Sequence, residues 1–397
     1  MVCLVLSGCV RWIGGNFTHK PEDAARLLSP AARALISVAF QDLPPSARRD
    51  FHTHLLTLGH GGNGGYVNPR MLTWRHPIRR FKTTLYMSAS GVDDLDQADT
   101  QYLERLVRLI RAVPGRGRHY LLAFDQHYTP DGSPNSRLSH FYVPNDYVYS
   151  IATRYSDLFI PVVSIHPYRA DALEELERWA RSGVKLIKWL PNSQGVDPSE
   201  PRLDVYYTRV RELGMSILTH VGEEQAVESQ RQQKLGNPLR LRRALDCGVR
   251  IIMAHCGSLG TDEDLDHPAR HQVPSYELVL RLLREPKYRG LLYADISAMT
   301  QFHRLPEPLL AILEAEDVHG QLVDGSDYPL PGLNALIRLG KLVRYGLLAA
   351  EDVKPLREIY GFNPLLFDFV LKRRLRHPQT GRGIPVSVFL AKSEFAD

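Results

Sequence analysis

Beginning near Asp50, the chain alternates short runs of apolar and β-branched residues with longer amphipathic stretches of helical period, and it does so eight times. The runs are Arg49–Leu55, Tyr120–Phe124, Leu158–Ile165, Val184–Leu190, Met215–His220, Arg250–His255, Leu291–Ile296 and Gln321–Asp324. Between them lie the helical stretches Leu95–Ala112, Ala170–Arg181, Arg202–Leu213, Leu239–Cys247, Ser275–Arg284, Pro308–Ala315 and Leu333–Tyr345. Strands separated by helices pair in parallel, because a parallel neighbour needs a crossover of a dozen or more residues. Eight such units predict an α/β fold of one kind, a (β/α)8 TIM barrel, rather than two doubly wound domains. Gly183, Gly214 and Gly248 fall where helices end in a left-handed residue, and Ser275 is placed to cap the helix it begins.

The barrel is expected over residues 49–373. Residues 1–48 form a leader containing a helix that starts at Ser29-Pro30 and lays Leu35, Ile36, Ala39 and Phe40 on one face. Further helices extend the barrel at its C-terminal side, and residues 374–397 form a basic tail.

In a barrel of this type the active site is built at the C-terminal ends of the strands, so the polar residues that close each run decide the chemistry. The first run ends in Asp50-Phe51-His52-Thr53-His54, the fourth in Lys188, the fifth in His220 and the sixth in His255; Asp327 follows the eighth in Gly325-Ser326-Asp327. Side chains alternate along a strand, so His52 and His54 point the same way, close enough to share one ion. From 188 to 220 is 32 residues and from 220 to 255 is 35, each one β/α unit, while 255 to 327 is 72, or two units. Two or more imidazoles with a carboxylate suit a divalent ion, zinc first, with manganese, iron and nickel as alternatives.

These motifs resemble those of the metal-dependent amidohydrolase superfamily, and within it the amidohydrolase-related group often labelled family 2. The resemblance runs from Asp50 to Arg373 and rests on DFHTH at 50–54, LTHVG at 218–222, MAHCG at 253–257 and GSDYP at 325–329. It implies that His52, His54 and Asp327 hold one metal ion, and that Asp327 is also the catalytic base that later returns its proton to the leaving group. It implies that His220 and His255 hold a second ion where there is one, and that Lys188 stands where some members carry a carboxylated lysine bridging two ions. In members with a single ion the histidine at position 255 polarises the substrate, so His255 is a catalytic residue under that alternative. The activity implied is hydrolysis of an amide, lactone or ester at a carbonyl. Non-oxidative decarboxylation of aromatic acids by the same ligands is the alternative within the family. A surface or periplasmic binding protein with a structural ion is the alternative outside it.

Other residues at the expected mouth are weaker candidates. His166 in SIHPY closes the third run and either touches substrate or orients a loop. Asp295 and Ser297 in YADIS are expected to hold ligands by hydrogen bonds, and Cys256 to turn away from His255 into the core. His267 and His271 sit in an acidic loop that reads as solvated. Gly59, Gly61 and Gly64 satisfy G-x-G-x-x-G, but no long helix opens after them and no acid follows until Asp93, which argues against a dinucleotide site. From Phe51 to Val92 there is no acidic residue at all, while Arg79 and Arg80 stand among other cations and aromatics. That segment is expected as a loop or lid whose Arg79 and Arg80 favour an anionic substrate, with Glu223 and Glu224 facing the same mouth.

Lys plus Arg exceeds Asp plus Glu by only 49 to 44, so no nucleic acid is expected as a partner. The partners expected are a small-molecule substrate and a second copy of the chain. The four cysteines make neither a metal motif nor a disulfide framework. Leu6-Ser7-Gly8-Cys9 resembles a bacterial lipobox, but its apolar stretch is short and lacks a preceding Lys or Arg. Two placements therefore stand: a cytoplasmic protein, or a periplasmic lipoprotein held to the membrane through a lipidated Cys9, with a start further upstream.

Overall fold

Each of the eight runs becomes a strand in the computed structural model, which describes residues 13–15, 17–44, 46–227 and 232–395. The lipobox-like Leu6–Cys9 lies outside the described residues. The strands are β1 (Arg49–His54), β2 (Arg118–Leu122), β3 (Phe159–Val162), β4 (Leu186–Trp189), β5 (Ser216–Thr219), β6 (Arg250–Met253), β7 (Leu292–Asp295) and β8 (Leu322–Val323). β1 to β3 pair in parallel, as do β4 to β8. Parallel bridges from Val163 to Ile187 and from Thr53 to Tyr328 close the two sheets into one barrel. The second seam is reinforced where Phe51 N donates to Asp324 O at 2.9 Å and His54 N to Tyr328 O at 3.1 Å.

Alternate strand positions fill the barrel: Leu122, Val162, Leu186, Leu218, Ile252 and Val323 pack in one buried cluster. On β1 the alternation is broken by a bulge between Asp50 and Thr53. Phe51 therefore points inward with that cluster although His52, its neighbour, also faces the interior against Lys188. Gly325 lets β8 pass this point, since a Cβ there would lie 2.7 Å from that of His52. The last described residues do not hang free as a tail. Val388 and Phe389 are fully buried, and Phe395 joins the barrel interior, with its carbonyl accepting from Tyr120 Oη at 2.8 Å.

The leader helix forms as α1 (Pro30–Phe40), capped by Ser29, whose Oγ accepts from Ala32 N at 3.2 Å. It packs on two C-terminal helices, Val353–Phe362 and Pro364–Arg374: the Ser29 hydroxyl donates to Glu358 at 2.7 Å, and the rings of Phe40 and Phe369 lie 4.5 Å apart. Three sequence expectations are corrected. Ser275 does not cap its helix, because Pro274 takes that position and the serine hydroxyl donates to Asp262 at 2.7 Å. The helix expected over Leu333–Tyr345 is confined to Leu339–Arg344, since Leu336 O is engaged by Phe302 N at 2.7 Å. The acid-free segment is not simply a loop: Pro77–Ala89 is a helix of thirteen residues, begun by a proline at its first position. No helix of the described residues is long and apolar enough to cross a membrane.

Candidate active site

β7 delivers Asp295 to the floor of the mouth, where it is completely buried. One carboxylate oxygen lies 2.9 Å from His52 Nδ1. The other accepts from the backbone N–H groups of His255 at 2.9 Å and Ser297 at 3.0 Å, and from the Ser297 hydroxyl. With its proton given to Asp295, Ser297 Oγ accepts from His255 Nδ1 at 2.7 Å. The network thus assigns the Nδ1–H tautomer to His52 and His255, and both present a bare Nε2 lone pair. Burial opposes ionisation of Asp295, but His52, His255 and Ser297 outweigh it and hold the carboxyl well below the usual range.

Across this floor stands Asp327, fixed by its own N–H donating to His52 O at 2.7 Å and held at a left-handed φ of 57°. Its carboxylate lies 3.2 Å from His54 Nε2 and 3.6 Å from His52 Nε2. Ligand atoms around a tetrahedral ion at about 2.0–2.1 Å stand roughly 3.3 Å apart, so this spacing fits a divalent ion. A second triple, His52, His255 and Asp295, is equally compact. Its contacts on His52 and Asp295 are hydrogen bonds already made, so the first triple is the better cradle. Against the cost of burial, His52, His54 and Lys188 bring the Asp327 pKa down to about 2, while burial lowers that of His54. An ionised carboxylate is the form a metal ligand requires, and Asp327 supplies it.

Lys188 and His220 gather at the same mouth. Lys188 is 1% exposed, with Nζ 3.0 Å from His52 Nε2. Burial lowers its pKa to about 8 against the pull of Asp295, Asp327 and Glu224. The His220 ring lies 5.2 Å from that of His255, with Nδ1 3.4 Å from Glu224, and burial lowers its pKa to about 4. Among the described residues, His220 belongs to no group of three His, Cys, Asp or Glu side chains at ligand spacing.

The family model described as Amidohydrolase matches residues 50–354, most of the chain. The chain belongs to the amidohydrolase family. No curated protein matches its sequence. Among solved structures, it is similar to an uncharacterised TIM-barrel protein from Bordetella bronchiseptica (16% identity, TM-score 0.48, 79% of this chain and 99% of that one). It is also similar to 5-carboxyvanillate decarboxylase from Sphingomonas paucimobilis (12%, 0.45, 78% and 96%). A third is 4-oxalomesaconate hydratase from Rhodopseudomonas palustris (12%, 0.42, 79% and 93%).

In this amidohydrolase the residues read as substrate-binding are sorted differently by the structure. His166 has no ring nitrogen to offer: Nδ1 accepts from Tyr168 N at 3.1 Å, and Nε2 faces Gln194 O at 2.9 Å. It orients a loop. Glu224, rather than Glu223, turns inward to His220, with its other oxygen accepting from Ala226 N and Val227 N. The Glu223 carboxylate accepts from Gln225 at the rim. Arg80 lies over the Trp74 ring and donates to Leu72 O. Arg79 is two helical turns before Tyr86 and shares its face, and it is Tyr86 that feels the charges of Glu224 and Asp327. Tyr86 and the buried Arg304, which also lie within reach of the charges of Asp327 and Glu224, were not singled out from the sequence. Both lie away from strand ends, where only the folded chain reveals them. An open cavity of about 730 Å³ elsewhere is lined by residues that include Arg338, Lys341, Arg344 and Arg357 and by none of the candidate ligands. The site is assigned on chemistry, not on cavity size.

Proposed function

We propose that this amidohydrolase hydrolyses an amide, lactone or ester at a carbonyl, with one divalent ion, zinc first, held by His52, His54 and Asp327. The observation that carries this reading is the Asp327 carboxylate, which lies 3.2 Å from His54 Nε2 and 3.6 Å from His52 Nε2. A divalent ion in such a cradle supplies Lewis acidity, lowering the pKa of water toward about 7 and polarising a carbonyl. Asp327, too acidic to hold a proton at rest, accepts one from the attacking water and passes it to the departing nitrogen or oxygen. His255 keeps its Nδ1–H on Ser297 and is neutral, so it offers a lone pair and no proton. That supports a ligand role for His255 over polarising a carbonyl by donation. Lys188 Nζ lies 3.0 Å from Nε2 of His52, within hydrogen-bond reach of one proposed ligand, and this supports one ion with an unmodified amine; two metal equivalents and a carboxylated Lys188 by mass spectrometry would replace that part of the reading.

The test is a panel of amides, lactones, esters and aromatic carboxylates in 18O-labelled water. Label in the carboxyl product is expected. Carbon dioxide released from an aromatic acid without label uptake would instead establish the decarboxylase. Asp327→Asn is expected to reduce turnover by roughly 10²–10⁴-fold, the usual worth of a general base, and unchanged turnover would refute its role.

A further inference from the structure

Arg304 follows β7 in a turn over residues Phe302–Arg304 and is 8% exposed, a buried guanidinium at the mouth of the barrel. Among the described residues its side chain makes one hydrogen bond, from Nη1 to Ser258 Oγ at 2.9 Å, and its buried Nε has no partner. Ser258 ends the turn that carries His255, with Ser258 N donating to His255 O at 2.9 Å, so the guanidinium is tied to the edge of the ligand cluster. The acids that act on it are committed elsewhere: Asp295 to His52 and Ser297, Glu224 to two backbone N–H groups and His220, Asp327 to His54, and Glu223 to Gln225. They attract Arg304 at a distance, and none of them forms an ion pair with it among the described residues.

We propose that Arg304 recognises a carboxylate on the substrate, so that the bond cleaved belongs to a molecule bearing a free carboxylate near the reacting carbonyl. The planar guanidinium fork matches a carboxylate in geometry, and such a partner would satisfy donors that the protein leaves open. One guanidinium balances one negative charge, and the four carboxylates that act on it, Asp327, Glu224, Asp295 and Glu223, disfavour a dianion such as phosphate. This inference rests on the reading of the mouth as a hydrolytic site.

The test measures binding of benzoate, benzamide and phenyl phosphate to the metal-loaded protein by ligand-observed NMR. Benzoate is expected to bind at least tenfold more tightly than its neutral isostere benzamide, and more tightly than phenyl phosphate. Arg304→Gln should shrink the benzoate preference below twofold with benzamide unchanged, and Arg304→Lys, which keeps the charge but not the fork, should lose about threefold or more for benzoate alone. A preference that survives Arg304→Gln, or an equal loss for both probes, overturns the inference, as does tighter binding of phenyl phosphate. Should Arg304→Gln not fold, as judged by circular dichroism, Arg304→Lys alone decides by the same criterion. The same titrations on Asp327→Asn separate the two proposals. Full turnover there with the Arg304 preference intact would defeat only the assigned base. Hydrolysis of neutral substrates without a benzoate preference would defeat only the carboxylate.

Discussion

Asp295 governs two histidines through a single carboxylate, directly at His52 and through Ser297 at His255. Replacing it with asparagine places an amide where four donors converge and frees both imidazoles to change tautomer. Asp295→Asn is therefore expected to weaken metal affinity or activity by about 10–100-fold, the usual effect of removing such a supporting group. Ser297→Ala should disturb His255 alone and cost less. Metal titration followed by activity assays checks both, and equal effects of the two substitutions would contradict the relay. The positions of His52, Asp295 and Ser297 were legible because polar residues ended apolar runs. What the sequence concealed was backbone handedness: His255 and Cys256 have φ of 58° and 49°, so both leave the strand in a turn. Cys256 is buried as expected, but its place comes from that turn, with Sγ 3.2 Å from Asp295 O, and not from strand alternation. The Glu223–Glu224 pair was opaque for a similar reason, since which of two adjacent acids turns inward depends on a loop with no fixed period.

Two serines show what was readable about the elements. Ser29 precedes Pro30 and caps α1, whereas Ser275 follows Pro274 and spends its hydroxyl on Asp262. The local signal is similar, and only the tertiary neighbour separates them. Ser29→Ala removes the cap and the link to Glu358 together, so a loss of about 1–2 kcal/mol is expected by denaturant titration, with activity per folded molecule unchanged. Ser275→Ala leaves the cap untouched, but it strips Asp262 of a hydrogen bond that lowers a carboxyl raised by burial to about 6. The helix Pro77–Ala89 was hidden because its arginines and lysine mask the apolar period, while Thr83, Met87 and Ala89 are the residues it buries. Eight strands in order were legible because each carries its own apolar run; the bulge on β1 was not, because a one-residue shift leaves no trace in composition.

At the scale of the whole molecule, the helix Pro364–Arg374 lies beyond the matched family segment, yet it reaches the catalytic seam. Lys372, near the end of that helix, is 1% exposed and donates to Asp324, Gly325 O and Asp368 at 3.1, 2.7 and 2.6 Å. Asp324 and Gly325 lead directly into Asp327, so this ammonium braces the backbone behind the proposed base. Removing one member of a buried ionic group leaves the others uncompensated, and Lys372→Met is expected to cost about 3–5 kcal/mol. The same cluster gives a pH signature. Burial, only partly offset by Lys372, raises the Asp368 pKa to about 7, so the folded chain retains a proton that the unfolded chain sheds near pH 4. Between those values the native state binds more protons, and this group's contribution to stability must fall as pH rises, by at most about 1.4 kcal/mol per pH unit. Asp368→Asn keeps the shape and cannot titrate. Denaturant titrations from pH 4.5 to 7.5 should therefore show the wild type losing ground steadily to Asp368→Asn across that window and holding a constant difference above it. Parallel curves throughout would mean that Asp368 is ionised in the folded protein, with Lys372 neutralising both aspartates at once.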